Sequence, residues 1–200
     1  MSEIVGIKFC SRPPEGIGRV NTKDKHCHFI GRGRREAFYI RSEDIDCPLA
    51  RFYLGIGQTD IEDLSRTLVS WDDASDIITA RSHLETGIRL GKSSQVIAYF
   101  PYPAGDIKPD VLVVIGTAQE IKNMVQKSCA RTGERIKASL SGIGAACGEC
   151  TAYPLVTGRA NLSVGCNGSR PGIGLKNGEL LLAFPADSKL SDTIVRNIER

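Results

Sequence analysis

Residues 47–57, CPLARFYLGIG, and residues 166–174, CNGSRPGIG, share one plan: a cysteine, an arginine four positions later, then Gly-Ile-Gly. Working outward, the likeness extends. The tripeptide occurs four times, at Gly16-Ile17-Gly18, Gly55-Ile56-Gly57, Gly142-Ile143-Gly144 and Gly172-Ile173-Gly174, where chance at this composition gives roughly 0.2. One copy then runs Ile7-Lys8, Cys27, Gly33-Arg34, Cys47, Arg51, and the other Ile136-Lys137, Cys150, Gly158-Arg159, Cys166, Arg170. Against the plainer reading that glycine turns are simply reused, this order of elements points to an internal duplication whose spacings differ in loops. The expected fold is α+β: a single domain of two pseudo-repeated lobes (strand, Gly turn, helix, strand) sharing a core. Lobe 1 covers about 1–58, a helical insertion about 59–92, and lobe 2 about 93–200.

The segment-by-segment pattern agrees. EIVGIKFC, EAFYIR, SQVIAYFPY, GELLLAFP and the apolar run DVLVVIG read as strands, the last buried on both faces. ERIKASL and RANLSVGC read as strands of the second lobe. Helices are expected from near Thr22, in CPLARFY with Pro48 in its first turn, twice between Thr59 and Leu90, after the capping box Thr117/Glu120 until Gly133, in AACGECTAYPLVTG as a short or broken helix, and in DSKLSDTIVRNIER.

Composition narrows the function classes. At 200 residues and 41% hydrophobic content the chain can bury a sizeable core. The longest apolar run, Val111–Ile115, is too short for a membrane span, and MSEIVGIKF lacks the basic cluster and apolar core of a secretion signal. A soluble, cytoplasmic protein is the expectation. The formal charge of +3 is spread evenly, and the cluster Arg32, Arg34, Arg35 lacks interleaved aromatics, so no nucleic-acid partner is predicted; a homo-oligomer is left open.

Seven cysteines are many for such a chain, and an odd count without a signal argues for metal, redox or burial rather than a disulfide framework. Lobes packed about a two-fold axis bring Cys27, Cys47, Cys150 and Cys166 towards one place, a ligand set for zinc or an iron–sulfur cluster. Cys147-Gly148-Glu149-Cys150 adds a CxxC pair, while Cys10 and Cys129 read as small buried hydrophobes. Adjacent His26 and His28 cannot both point at a metal that Cys27 binds. The glycine turns resemble a dinucleotide fingerprint, but Cys147 stands where its third glycine belongs, which excludes ordinary NAD binding. Arg51 and Arg170 could instead face a carboxylate or phosphate, and Cys47 at a helix start or Cys166 before a glycine turn could act as a nucleophile.

CPLARFYLGIG, GRANLSVGCNGSRPGIG (158–174) and GELLLAFP (178–185) resemble the archaeal and bacterial family known as domain of unknown function 169. The resemblance runs from GIKFC to FPAD and carries over onto Cys27, Cys47, Cys150, Cys166, Gly168, Arg170, Glu179 and Pro185. It implies a soluble protein frequent in anaerobic archaea and supplies no reaction. The leading functional expectation is a cysteine-based metal or redox protein with Cys27, Cys47, Cys150 and Cys166 as ligands. The alternative is a protein or enzyme that seats a small anionic ligand between the lobes through Arg51, Arg170, Gly168 and Glu179, its cysteines serving as packing; a scaffold with neither chemistry is the third.

Overall fold

The computed structural model describes residues 2–198. Seven strands form one sheet in the order β2-β3-β4-β1-β5-β7-β6: β1 (Glu3–Cys10), β2 (Gly18–Arg19), β3 (Phe38–Arg41), β4 (Val96–Pro101), β5 (Val111–Thr117), β6 (Asn161–Ser163) and β7 (Glu179–Pro185). All pairings are antiparallel except that of β2 with β3. Runs such as VIAYFP and VLVVIGT form the middle of the sheet because β-branched and aromatic side chains pack on both of its faces. Thus Val111 and Val113 enter one core while Leu112 and Val114, alternating with them, enter the other.

The larger core lies under α1 (His26–Gly33), α2 (Pro48–Tyr53), α3 (Ile61–Ser70), α4 (Ile77–Thr86), a π-helix (Ala145–Ala152) that continues as α6 (Tyr153–Thr157), and α7 (Ser169–Ile173). On the opposite face α5 (Ala118–Thr132) and α8 (Lys189–Ile198) cover Leu112, Val114, Leu182 and Phe184. The caps follow the sequence. The Thr117 hydroxyl accepts from Glu120 N while Glu120 accepts from Thr117 N at 2.8 Å, and Gly133 closes α5 in the left-handed region. No helix among the described residues is long and apolar enough to cross a membrane.

The α+β class is as expected, but the lobes do not carry separate sheets. Strand β4, beyond residue 93, pairs with β1 and β3. The stretch 134–140, expected as a strand, is irregular. At its end and just beyond it the backbone finds side-chain partners in place of a ladder: Ser139 N and O bond the Asn161 amide at 2.8 and 2.9 Å, and Ser141 N and Gly142 N donate to Glu149 Oε1 at 2.6 and 3.1 Å. The RANLSVGC strand is likewise cut to Asn161–Ser163, and the first helix starts at His26 rather than near Thr22.

Candidate functional site

Helix α1 crosses α7 almost backbone to backbone. A Cβ on Gly31 would lie 2.4 Å from Gly172 O, and one on Gly172 would lie 2.8 Å from Cys27 Sγ. This approach carries Cys27, in the first turn of α1, to the loop that ends in α7, where its thiol donates to Gly168 O at 3.6 Å. In the same loop Cys166 Sγ accepts from Ser169 N at 3.3 Å, and Cys166 N donates to Ser169 Oγ at 2.7 Å. Cys47 is the N-cap residue of α2, its sulfur near the N–H groups of Ala50 and Leu49 that open the helix.

The fourth thiol comes from the π-helix. Gly144, at φ 65°, precedes it, and its carbonyl accepts from both Gly148 N (2.7 Å) and Glu149 N (3.4 Å). The Tyr53 ring lies so close that a Cβ on Gly144 would stand 2.5 Å from it. Only glycine meets both demands. With a bond from i to i+5 the turn widens to roughly 4.4 residues, so positions three apart diverge by roughly 115° instead of the 60° of an α-helix. Cys147 consequently faces outward from the helix, while Cys150 is sealed on another side, beside Ser163 and Glu149.

Cys27, Cys47, Cys147 and Cys166 line one cavity of about 360 Å³, with Lys25, Asp73 and Asn167 also in its wall. Trp71, 44% exposed, is part of the same wall, and Asn167 Nδ2 donates to Asp73 Oδ1 at 2.9 Å across it. Burial pushes the Cys27 thiol up to about 12, with Cys166 and Cys47 adding to the rise. Burial also raises Cys147, followed by Cys47, Cys166 and Cys27, and it raises Cys47 against the N–H groups of Ala50 and Leu49. Cys27, Cys47 and Cys147 therefore resist ionising chiefly because they are buried, and the neighbouring thiols add to that. All seven cysteines are free, and among the described residues no three His, Cys, Asp or Glu side chains converge as ligands of one metal ion would.

The remaining residues singled out by sequence stand around this cavity. Gly168 lines it. Arg51 and Arg170 do not. Arg51 Nη1 donates to Ile45 O at 3.2 Å, and Arg170 Nη1 to Val164 O at 2.7 Å, in each case the carbonyl two residues before the cysteine. Arg170 also reaches Glu179 O and Lys176 O, and the Glu179 carboxylate accepts from Lys176 N. The Cys-x₃-Arg spacing is thus a clamp that folds each cysteine loop back on itself; the backbone bonds Arg51 N to Cys47 O and Arg170 N to Cys166 O repeat it. Arg51→Ala and Arg170→Ala should each leave the far-ultraviolet spectrum unchanged yet weaken whatever the thiols hold by roughly tenfold, the effect of losing a group that orients a ligand. Full retention in both variants would show that the clamps are dispensable. Cys150 and Cys147 could not be told apart by spacing, because a CxxC reads alike in a turn, an α-helix and a π-helix.

His26 is buried and its role is fixed by its neighbours. Thr151 Oγ1 gives its hydrogen to Ala146 O at 2.7 Å, so at 2.9 Å it accepts from His26 Nε2, and His26 Nδ1 accepts from the Tyr99 hydroxyl at 2.8 Å. The ring is a neutral brace between α1, β4 and the π-helix, and burial lowers its pKa to about 3. His28 pairs with Asp24 at 2.7 Å.

The family described as uncharacterised ArCR, domain of unknown function 169, matches residues 1–192. The chain belongs to this family. It is 28% identical over 190 residues to the "Uncharacterized protein MJ0308" of Methanocaldococcus jannaschii, covering 93% of this chain and 81% of that protein. No solved structure matches.

Proposed function

We propose that the chain is an iron–sulfur protein whose cluster occupies the thiol-lined cavity, held by Cys27, Cys47, Cys147 and Cys166. The observation that carries this reading is that four cysteines, from four separate segments, line one cavity. Cys147 takes the place that spacing gave to Cys150. Thiol catalysis is the weaker reading because Cys27, Cys47 and Cys147 are all raised by burial, and a buried thiol is a poor nucleophile. A metal centre reverses that penalty, since its positive charge replaces the thiol protons and cancels the repulsion among the sulfurs. A lone zinc ion would need its sulfurs at about 2.3 Å, hence about 3.8 Å from one another. Thiols spread around a wall suit a cluster, in which each iron takes its own cysteine. Outward from the β1–β5 pair the sheet runs β4 then β3 on one side and β7 then β6 on the other, with Cys47 following β3 and Cys166 following β6, which supports reading the two cysteines as equivalent positions in related copies.

Anaerobic reconstitution with ferric iron, a thiol reductant that supplies the electrons for any ferrous iron, and sulfide should give a brown protein with stoichiometric iron and sulfide after desalting. Cys→Ser at 27, 47, 147 or 166 should lower iron retention by at least about tenfold, whereas Cys150→Ser and Cys10→Ser should keep it. Zinc retained in place of iron, or loss of iron in Cys150→Ser but not Cys147→Ser, would overturn this reading.

A further inference from the structure

A second cavity, of about 510 Å³, lies beside the smaller core, between the end of α5, residues 134–137, the 158–160 loop and the start of α8. Arg135, Lys137, Arg159 and Lys189 line it, against one acid, Glu134. Several arginines elsewhere are matched with acids, among them Arg19 with Asp44, Arg34 with Glu3, Arg66 with Asp63 and Arg81 with Glu85. The side chains of Arg135, Lys137 and Arg159, by contrast, make no ion pair or hydrogen bond among the described residues. Three unpaired cations gathered around a single acid repel one another and cost stability, so Arg135, Lys137 and Arg159 favour an anion between them.

Ser128 supplies an independent observation. It is 2% exposed, lines this cavity, and its hydroxyl has no hydrogen-bond partner. A helical serine ordinarily bonds the carbonyl four residues back, as Ser65 does with Ile61 O at 2.7 Å. The Ser128 hydroxyl does not, and it is not sealed away either, since Ser93 Oγ is the one such atom among the described residues. The cavity is the open space that Ser128 lines.

We propose that this cavity binds a small phosphorylated molecule carrying two or more negative charges, with the Arg135 and Arg159 guanidinium groups forking onto phosphoryl oxygens and Ser128 Oγ donating to one of them. Guanidinium groups match phosphate geometry in pairs, and lysine adds a point charge. The volume falls in the range of small-molecule sites. A nucleic acid would call for a longer basic track with aromatic side chains for stacking, and this wall has no aromatic residue. The site is independent of the thiol cavity, which lies over the larger core on the other face of the sheet.

Titration calorimetry at fixed ionic strength, with inorganic pyrophosphate and ATP as probes, tests the proposal on the full chain. Saturable binding is expected, weakened at least about tenfold by Arg159→Ala or Arg135→Ala and several-fold by Ser128→Ala, while Lys23→Ala, outside the cavity, has no effect. The thermal midpoint of each free variant should match that of the parent, which separates lost binding from lost folding. Absence of saturable binding, equal weakening in Lys23→Ala, or tighter binding of a single-stranded oligonucleotide that pyrophosphate displaces would each overturn it.

Discussion

Glu149→Ala is expected to destabilise the fold by about 3–5 kcal/mol, since buried donors that lose a charged acceptor each cost about 1–3 kcal/mol and here several lose it together. Glu149 is 7% exposed. Its Oε1 accepts from Ser141 N, Ser141 Oγ (3.0 Å) and Gly142 N, and its Oε2 accepts from the Ser163 hydroxyl. One carboxylate thereby ties the irregular 139–142 segment and β6 to the π-helix. Glu149→Gln should cost less, about 1–2 kcal/mol. The amide oxygen can still serve the two backbone N–H groups, while its NH₂ can donate to Ser163 Oγ, which already accepts from Gly165 N at 3.1 Å. Urea unfolding of both variants checks the order, and an alanine variant no worse than the glutamine would remove the carboxylate from this role. Because Gly144 follows the same segment and receives the Cys147 thiol at 3.5 Å, the alanine variant should also disorder one wall of the thiol cavity.

This carboxylate also marks where the sequence stopped being readable. Strands β1, β3, β4, β5 and β7 and helices α2 to α5 were legible because each carries its own signal: a β-branched run, a proline in the first turn, a capping box, a glycine stop. The 134–140 segment has the composition of a strand, yet Asn161 claims the backbone of Ser139 and Glu149 that of Ser141 and Gly142 just after it, two side chains twelve residues apart and further along the chain. No local pattern announces that. The same limit applied at the site. Cys27, Cys47 and Cys166 were picked out by a recurring order of residues, and they do share a cavity. The choice of Cys150 over Cys147 failed to place its thiol there because the helix between them is wound to i+5. The hint available was composition: AACGECTA is made almost wholly of small residues, which allow a wide turn to be packed flush against Tyr53 and the sheet. The arginines were legible as paired with the cysteines but not as clamps, since a guanidinium four residues from a cysteine suits an anion and a carbonyl equally well.

Acidification should expose the other buried polar group at this site. His26 is 1% exposed and neutral, its pKa held at about 3 against an ordinary 6.5 by burial. Above pH 6.5 neither the folded nor the unfolded chain protonates it, and its packing contributes in full. As pH falls below 6.5 the unfolded chain takes up a proton that the folded one refuses, so stability drops by up to about 1.4 kcal/mol per pH unit until the folded ring also titrates near 3. Three carboxylates with lowered values act in the same direction at the acid end: Glu3, held down by its hydrogen bonds to Arg34, Asp76, held down by the Thr79 N–H it caps, and Glu120, brought to about 2 by the Thr117 cap. Because they titrate below the ordinary carboxylate range, their contribution falls mainly under pH 4.5, leaving the interval from 6.5 to 4.5 chiefly to His26, with a smaller share from His83. His26→Gln, which can still donate to Thr151 and accept from Tyr99, should flatten the stability curve across that interval by about 2–3 kcal/mol relative to the parent. The other two histidines cannot mimic this. His28 is an exposed partner of Asp24, and His83, bonded to the Tyr53 hydroxyl at 3.1 Å, is lowered less by burial and is raised in part by Glu149 and Asp73. Unfolding by urea at half-unit steps of pH gives the curve directly. A parent and a His26→Gln variant that lose stability in parallel from 6.5 to 4.5 would mean that the ring is protonated within the fold, with Tyr99 turned to accept from it.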